Sequence, residues 1–157
     1  MTRHFALLVN PAAAGGRARE VLPVVRGELD RLDARYRVIE TTDRFWTVLA
    51  AADLGVSRAG GTVWELAAAG LPALLVPYPH ATGDHQHANA EYFAAAGGAV
   101  IVEDAALDGE QLRNRVAELR AAPGRLDDMR NGMLRRARPD AAAVVARELL
   151  RLARDRA

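Results

Sequence analysis

The feature that most constrains this chain is the regular alternation of short apolar runs with helical stretches. Phe5 to Val9, Tyr36 to Thr41, Asp53 to Ser57, Ala73 to Pro77 and Ala99 to Val102 are rich in Val, Leu and Ile and predict buried strands. Between the first two, Ala18, Val21, Leu22, Val25, Leu29 and Leu32 recur at three-and-four spacing, the apolar face of a helix from Arg17 to Leu32 with Pro23 as a kink or late start. Phe45 to Ala52 and Thr62 to Ala69 predict two shorter helices. Parallel neighbours cannot be joined by a hairpin, and a crossover helix covers the sheet face it passes over. The alternation therefore predicts an α/β fold: a Rossmann-like open parallel sheet of about five strands with helices on both faces. Beyond Asp104 the pattern is purely helical: Leu112, Val116 and Leu119, then Leu126, Met129 and Met133, then Val144, Val145, Leu149 and Leu152, broken at Pro123-Gly124 and at Pro139. This tail is expected to pack across the sheet edge, and the 157 residues to form one domain, 1–157.

Composition removes several chemistries. All 21 basic residues are arginine, which excludes a Walker lysine, a pyridoxal Schiff base and a lysine general base. With no cysteine there is no thiolate nucleophile or thiolate metal cluster, and the expected compartment is the reducing cytoplasm. A net charge of +1 predicts no nucleic-acid partner, although the last third is rich in Arg. The opening MTRHFALLVNP has too short an apolar stretch for a secretory signal, and Gly70, Pro72, Pro77 and Pro79 interrupt the uncharged run from Leu66 to His80. No transmembrane span is expected, so any membrane contact would be peripheral. Arg151, Arg154 and Arg156 could touch anionic lipid or simply end a solvated helix.

In an open parallel sheet, ligands sit beyond the carboxyl ends of the strands, at loops that lead into helix N-termini. Three loops qualify. In Asn10 to Arg17, Gly15 and Gly16 would let backbone approach a phosphate, or would merely make a flexible turn. In Ser57 to Glu65, Gly60 and Gly61 precede a helix with Glu65 about one turn in, where a carboxylate can accept both vicinal hydroxyls of a ribose or simply complement the helix dipole. In Pro77 to Ala90, His80, Asp84, His85, Gln86 and Asn89 offer the donors and acceptors that sugar hydroxyls require. A zinc site from His80, Asp84, His85 and His87 is the alternative, but His85 and His87 on one helix point to different faces, so no metal is expected.

The run AAADLGVSRAGGTVWELAAAGLPALLVPYPHATGDHQHANA resembles the two signature loops of the MurG family, glycosyltransferase family 28, in its C-terminal domain; the resemblance covers about residues 45–157. It implies one half of a GT-B fold that binds UDP-N-acetylglucosamine as donor, with no cofactor and no obligatory metal. Glu65 would hold the uridine ribose, Gly60, Gly61 and Thr62 would sit at the diphosphate, and His85, Gln86 and Asn89 would lie near the N-acetylglucosamine. Thr41 and Thr42 align with the family's uracil-contacting turn. Between Arg58 and Glu65 the chain is one residue shorter than the family pattern, which would alter the phosphate geometry. The family's N-terminal acceptor domain, with its glycine-rich loop and proposed histidine base, has no counterpart here, so no catalytic base is assigned.

Residues 1–43, with the run LLVNPAAAGGRAREVLPVVRGELDRLDARYRVIET, resemble instead the opening of diacylglycerol and sphingosine-type lipid kinases. Those kinases need a downstream GGDGT loop, and here the nearest string is Gly60-Gly61-Thr62, without the Asp. The expectation is thus a mosaic: a lipid-kinase strand-helix-strand on a MurG-like domain, with phosphoryl transfer disfavoured. Three functions remain open. They are a donor-binding half that needs an acceptor-domain subunit or dimerises, a recombined or engineered fold without catalysis, and a lipid-kinase-like nucleotide-binding fragment. The first places the chain in the cytoplasm or peripherally at the inner membrane face.

Overall fold

The computed structural model describes residues 4–8, 22–23, 25–27, 30, 35–39 and 42–155. They fall into two compact units, Met1–Val48 and Leu49–Ala157. In the first unit, β1 (His4–Leu8) pairs in parallel with β2 (Arg35–Ile39), His4 opposite Arg35 and Leu8 opposite Ile39. Of the helix expected over Arg17 to Leu32, residues 22–23, 25–27 and 30 are described and helical. Gly15, Gly16 and Thr41 lie outside the described residues. Before helix α1 (Phe45–Ala50), the Thr42 Oγ1 accepts the Arg44 N–H at 3.0 Å, a local Thr turn that leads into the helix.

The second unit holds a parallel sheet in the order β3 (Gly55–Ser57), β4 (Ala73–Leu75), β5 (Ala99–Ile101). Helix α2 (Thr62–Ala68) links β3 to β4, and α3 (His85–Ala94) links β4 to β5. Because parallel crossovers are right-handed, both helices lie over the same face. That face is lined by small residues: Gly55 stands opposite Ala73, and Ala73 opposite Ala99. A Cβ on Gly55 would touch the Leu71 and Leu66 side chains at 3.4 and 3.7 Å, so α2 packs directly on it. The other parity, Leu74, Val76 and Val102, clusters with Leu119 of α4 (Gly109–Ala121) and Met129 of α5 (Arg125–Arg136). Both faces are covered, which is why every residue of β4 is buried.

Local chemistry sets where the elements stop. After α2, the Leu71 N–H donates to the Leu66 carbonyl at 2.9 Å and the Gly70 N–H to the Ala67 carbonyl at 3.0 Å, a Schellman closure with Gly70 at φ +63°. Pro72 then bars any return to helix. Asp108 caps α4 by accepting the Gln111 N–H at 2.7 Å. Gly124, at φ +72°, turns the chain from α4 into α5.

The tightest packing joins α5 to the turn before β5. A Cβ on Gly132 would lie 2.5 Å from the Gly98 nitrogen and 2.6 Å from the Ala96 oxygen, and one on Gly98 would lie 2.6 Å from the Met133 nitrogen. Two backbones touch here, with Met129 and Met133 fully buried on either side of Gly132. Helix α5 also packs against α2 and α3.

The tail corrects one expectation. Helices α4 and α5 bury Leu119, Met129 and Met133 against the sheet, but α6 (Ala141–Arg154) buries nothing. Val144, Val145, Leu149 and Leu152 are all exposed, Leu149 at 62%, so their spacing marks an amphipathic face without a partner among the described residues. Arg151 pairs with Glu148 and Asp155 on the polar side, and its guanidinium holds the Glu148 carboxyl below the ordinary carboxylate range. Among the described residues no helix is long and apolar enough to cross a membrane.

Gly132→Ala is expected to lower stability by about 1–3 kcal/mol, because neither opposing backbone atom can step aside without moving α5. Thermal unfolding followed by circular dichroism reads this, with Gly109→Ala as control, since a Cβ there meets nothing within 4 Å. Equal midpoints for the two variants would contradict the close approach. By the same measurement, Met129→Ala should cost about 2–5 kcal/mol, and Leu149→Ala on the uncovered face under about 0.5 kcal/mol.

Candidate functional site

The carboxyl ends of β3, β4 and β5 open into three loops, and their side chains and backbones interlock. After β3, the chain passes through Arg58, buried Ala59, Gly60 and Gly61 into α2. After β4 come Val76, Pro77, Tyr78, Pro79 and His80, then a turn at Thr82–Asp84 that opens α3. After β5 lie Val102, Glu103 and Asp104.

Two amide side chains from α3 tie these loops together. The Asn89 Nδ2 donates to the Ala59 carbonyl at 3.0 Å, across to the β3 loop. The Gln86 Oε1 accepts the Tyr78 N–H at 3.0 Å. A Cβ on Gly60 would stand 3.9 Å from the Gln86 Nε2, so the amino end of that amide faces the glycine loop while its oxygen is occupied. The glycine pair and the polar helix start therefore form one rim, which neither segment could form alone.

At α2 the first recorded backbone bonds are Val63 N–H to the Gly60 carbonyl at 3.2 Å and Trp64 N–H to the Gly61 carbonyl at 3.1 Å. Among the described residues, no acceptor is recorded for the N–H groups of Gly60, Gly61 and Thr62, as the opening of a helix requires. Gly61 is exposed, and a Cβ there would meet nothing within 4 Å, so the loop leaves room for a ligand against its backbone. Glu65 is exposed in the first turn of α2, and it makes no ion pair among the described residues. Its carboxylate is available to accept from a ligand.

His85 opens α3 with its Nδ1 2.8 Å from the Thr82 carbonyl. A carbonyl only accepts, so Nδ1 carries a proton and Nε2 is the nitrogen left for other partners. His87, two residues on, turns away and approaches Glu91 at 3.4 Å. His80 packs edge-on to the Tyr78 ring at 5.5 Å. Among the described residues, no three of His, Cys, Asp and Glu converge as metal ligands would.

The structure thus brings Gly60, Gly61, Thr62, Glu65, His85, Gln86 and Asn89 to adjoining loops of one unit. Thr42 belongs to the other unit, where its hydroxyl accepts the Arg44 N–H. Arg58, Tyr78 and Asp104 also hold the rim together, and sequence reading assigned them no role. Arg58 stands within the Ser57 to Glu65 loop, but its partner Asp104 is far along the chain, and no spacing announces such a pair. The grooves along Arg147, Leu150 and Arg154 and beside Ala95 and Arg135 include none of the rim residues.

A family profile described as the glycosyltransferase family 28 C-terminal domain matches residues 15–145. The UDP-N-acetylglucosamine–N-acetylmuramyl-(pentapeptide) pyrophosphoryl-undecaprenol N-acetylglucosamine transferase of Azotobacter vinelandii is 48% identical over 108 residues, 68% of this chain and 30% of that protein. The transferase of the same name from Salinibacter ruber is 44% identical over 120 residues, 76% of this chain and 32% of that protein. The chain therefore spans about a third of the length of these relatives. The crystal structure of Acinetobacter baumannii MurG superposes with a TM-score of 0.75 at 25% identity, covering 96% of this chain and 50% of that one. Both the profile match from residue 15 and this likeness take in most of the opening segment, so the expected lipid-kinase mosaic finds no support. With a half-GT-B architecture, two interlocked signature loops and a profile match over most of its length, this chain belongs to the glycosyltransferase family 28 C-terminal domain family.

Proposed function

We propose that the chain is the donor-binding half of a hexosyltransferase that takes UDP-N-acetylglucosamine, and that transfer requires a separate domain or subunit bearing the acceptor site. The observation that carries this reading is the bonding of Asn89 to Ala59 and of Gln86 to Tyr78, which makes a single rim of the two family loops at the strand ends.

On that rim, the free N–H groups of Gly60, Gly61 and Thr62 take the diphosphate, and the Glu65 carboxylate accepts the two ribose hydroxyls. The Gln86 amino group, the Asn89 amide and the His85 Nε2 face the sugar hydroxyls. The acceptor oxygen attacks the anomeric carbon as the bond from that carbon to the diphosphate oxygen breaks, inverting the configuration. The electron pair leaves with UDP, and the acceptor proton passes to a base on the other half. Backbone N–H groups fixed before reaction stabilise the developing charge on the leaving group without reorganising, so no bound metal is required. Thr42, Gly15 and Gly16 carry no weight in this reading. The relatives' names describe an undecaprenol-linked acceptor, which on this proposal would set the chain to work at a membrane surface.

Calorimetric titration with UDP-N-acetylglucosamine, UDP and ATP tests it. Both uridine ligands are expected to bind, in EDTA as in its absence, and ATP is not. Glu65→Ala should weaken the uridine ligands by roughly tenfold or more, the loss of two charge-assisted hydrogen bonds. ATP binding as well as UDP, or a Glu65→Ala variant with unaltered affinity, would defeat the reading. Asn89→Ala, which unties α3 from the Ala59 carbonyl, should weaken UDP-N-acetylglucosamine by about three- to tenfold.

A further inference from the structure

We infer that Arg58 is a positioning residue of this site: it holds the loops after β3, β4 and β5 in one arrangement and, through Tyr78 and Gln86, sets the preference for a UDP-sugar over bare UDP. This rests on the donor-site reading above.

Arg58 leaves the end of β3, and its side chain spans the other two strand ends. Its Nη1 lies 3.3 Å from the Val76 carbonyl and 3.3 Å from the Pro77 carbonyl, and it pairs with the Asp104 carboxylate beyond β5. The guanidinium also sits 5.6 Å from the centre of the Tyr78 ring. Each contact is weak, since one amino group is shared among three oxygens and the pair is half exposed. A guanidinium can nevertheless make them all together, with Nη1 at the three oxygens and its carbon near the Tyr78 ring, an arrangement that a compact ammonium does not reproduce.

The contacts act on Gln86 through the backbone. Holding the Val76 and Pro77 carbonyls fixes the peptide that carries the Tyr78 N–H, and this N–H holds the Gln86 Oε1 at 3.0 Å. With its oxygen held, the amide presents Nε2 towards Gly60. Released, it would turn freely, and a donor aimed at a sugar hydroxyl would become one of several orientations. Glu65 and the N–H groups of Gly60 to Thr62 do not depend on this relay, so the UDP portion should be felt far less.

The test is the ratio of two dissociation constants, for UDP-N-acetylglucosamine and for UDP, in the unaltered chain, Arg58→Ala, Arg58→Lys and Asp104→Asn, with a thermal melt of each. Arg58→Ala should weaken the sugar nucleotide by about tenfold and UDP by no more than about threefold. Arg58→Lys and Asp104→Asn should shift the ratio in the same direction by less. Equal weakening of both ligands would mean a merely structural role, and an unchanged ratio would mean none; either overturns the inference while leaving the donor site standing. Should Arg58→Ala fail to fold, Asp104→Asn decides, because it keeps the size of a half-exposed side chain. If the unaltered chain binds neither ligand, the donor-site reading falls and this inference with it.

Discussion

The close approach of Gly98 and Gly132 fixes one end of the second unit and so leaves the other end free for chemistry. At that contact two backbones meet with no side chain between them, and α5 is drawn against the turn that feeds β5 while also packing on α2 and α3. A Cβ on Gly70, just after α2, would lie 3.1 Å from the Leu134 side chain of α5. These contacts gather at the amino ends of the strands. The carboxyl ends are left to Arg58, Tyr78, Gln86 and Asn89, whose bonds bridge loops instead of filling a core. The closest packing and the candidate site thus sit at opposite ends of one short sheet.

The rim is held by interactions of modest individual size. A net hydrogen bond such as Asn89 to Ala59 contributes about 1 kcal/mol, and a half-exposed pair such as Arg58 with Asp104 about 0–1 kcal/mol. None of them would hold a loop alone. Their effect comes from connectivity: α3 is tied to the β3 loop by Asn89 and to the β4 loop by Gln86, while Arg58 joins the loops of β3, β4 and β5. A rim built this way can place polar groups against a ligand without a deep cavity. On the donor-half proposal, that suits a chain which spans about a third of the length of its relatives.

Helix α6 stands apart in this economy of contacts. Its apolar residues follow the same three-and-four spacing that correctly placed the buried faces of α4 and α5, yet they remain in water. Periodicity reports that a helix has an apolar side; whether that side is covered depends on which surface comes within reach, and no local pattern carries that information. Of the tail expected to cross the sheet edge, Leu119 and Met129 instead cover the sheet face beside Leu74, Val76 and Val102, and Val144, Val145, Leu149 and Leu152 are left exposed.

What the sequence by itself determined was the kind and order of the elements. The apolar runs found the five strands among the described residues to within a residue or two at their starts, and Gly70 with Pro72 marked the end of α2, because strand period, helix period and left-handed turns are set by neighbours within a few residues. The glycine pair and the polar run that opens α3 were legible as candidate ligand segments for the same reason. Only the tertiary structure decided that Asn89 reaches Ala59, that Gln86 holds Tyr78 while facing Gly60, and that Arg58 finds Asp104. Those partners are brought together by the packing of α2 and α3 on one face of the sheet, and sequence distance fixes neither which strand ends become neighbours nor which side chains then come within hydrogen-bonding range.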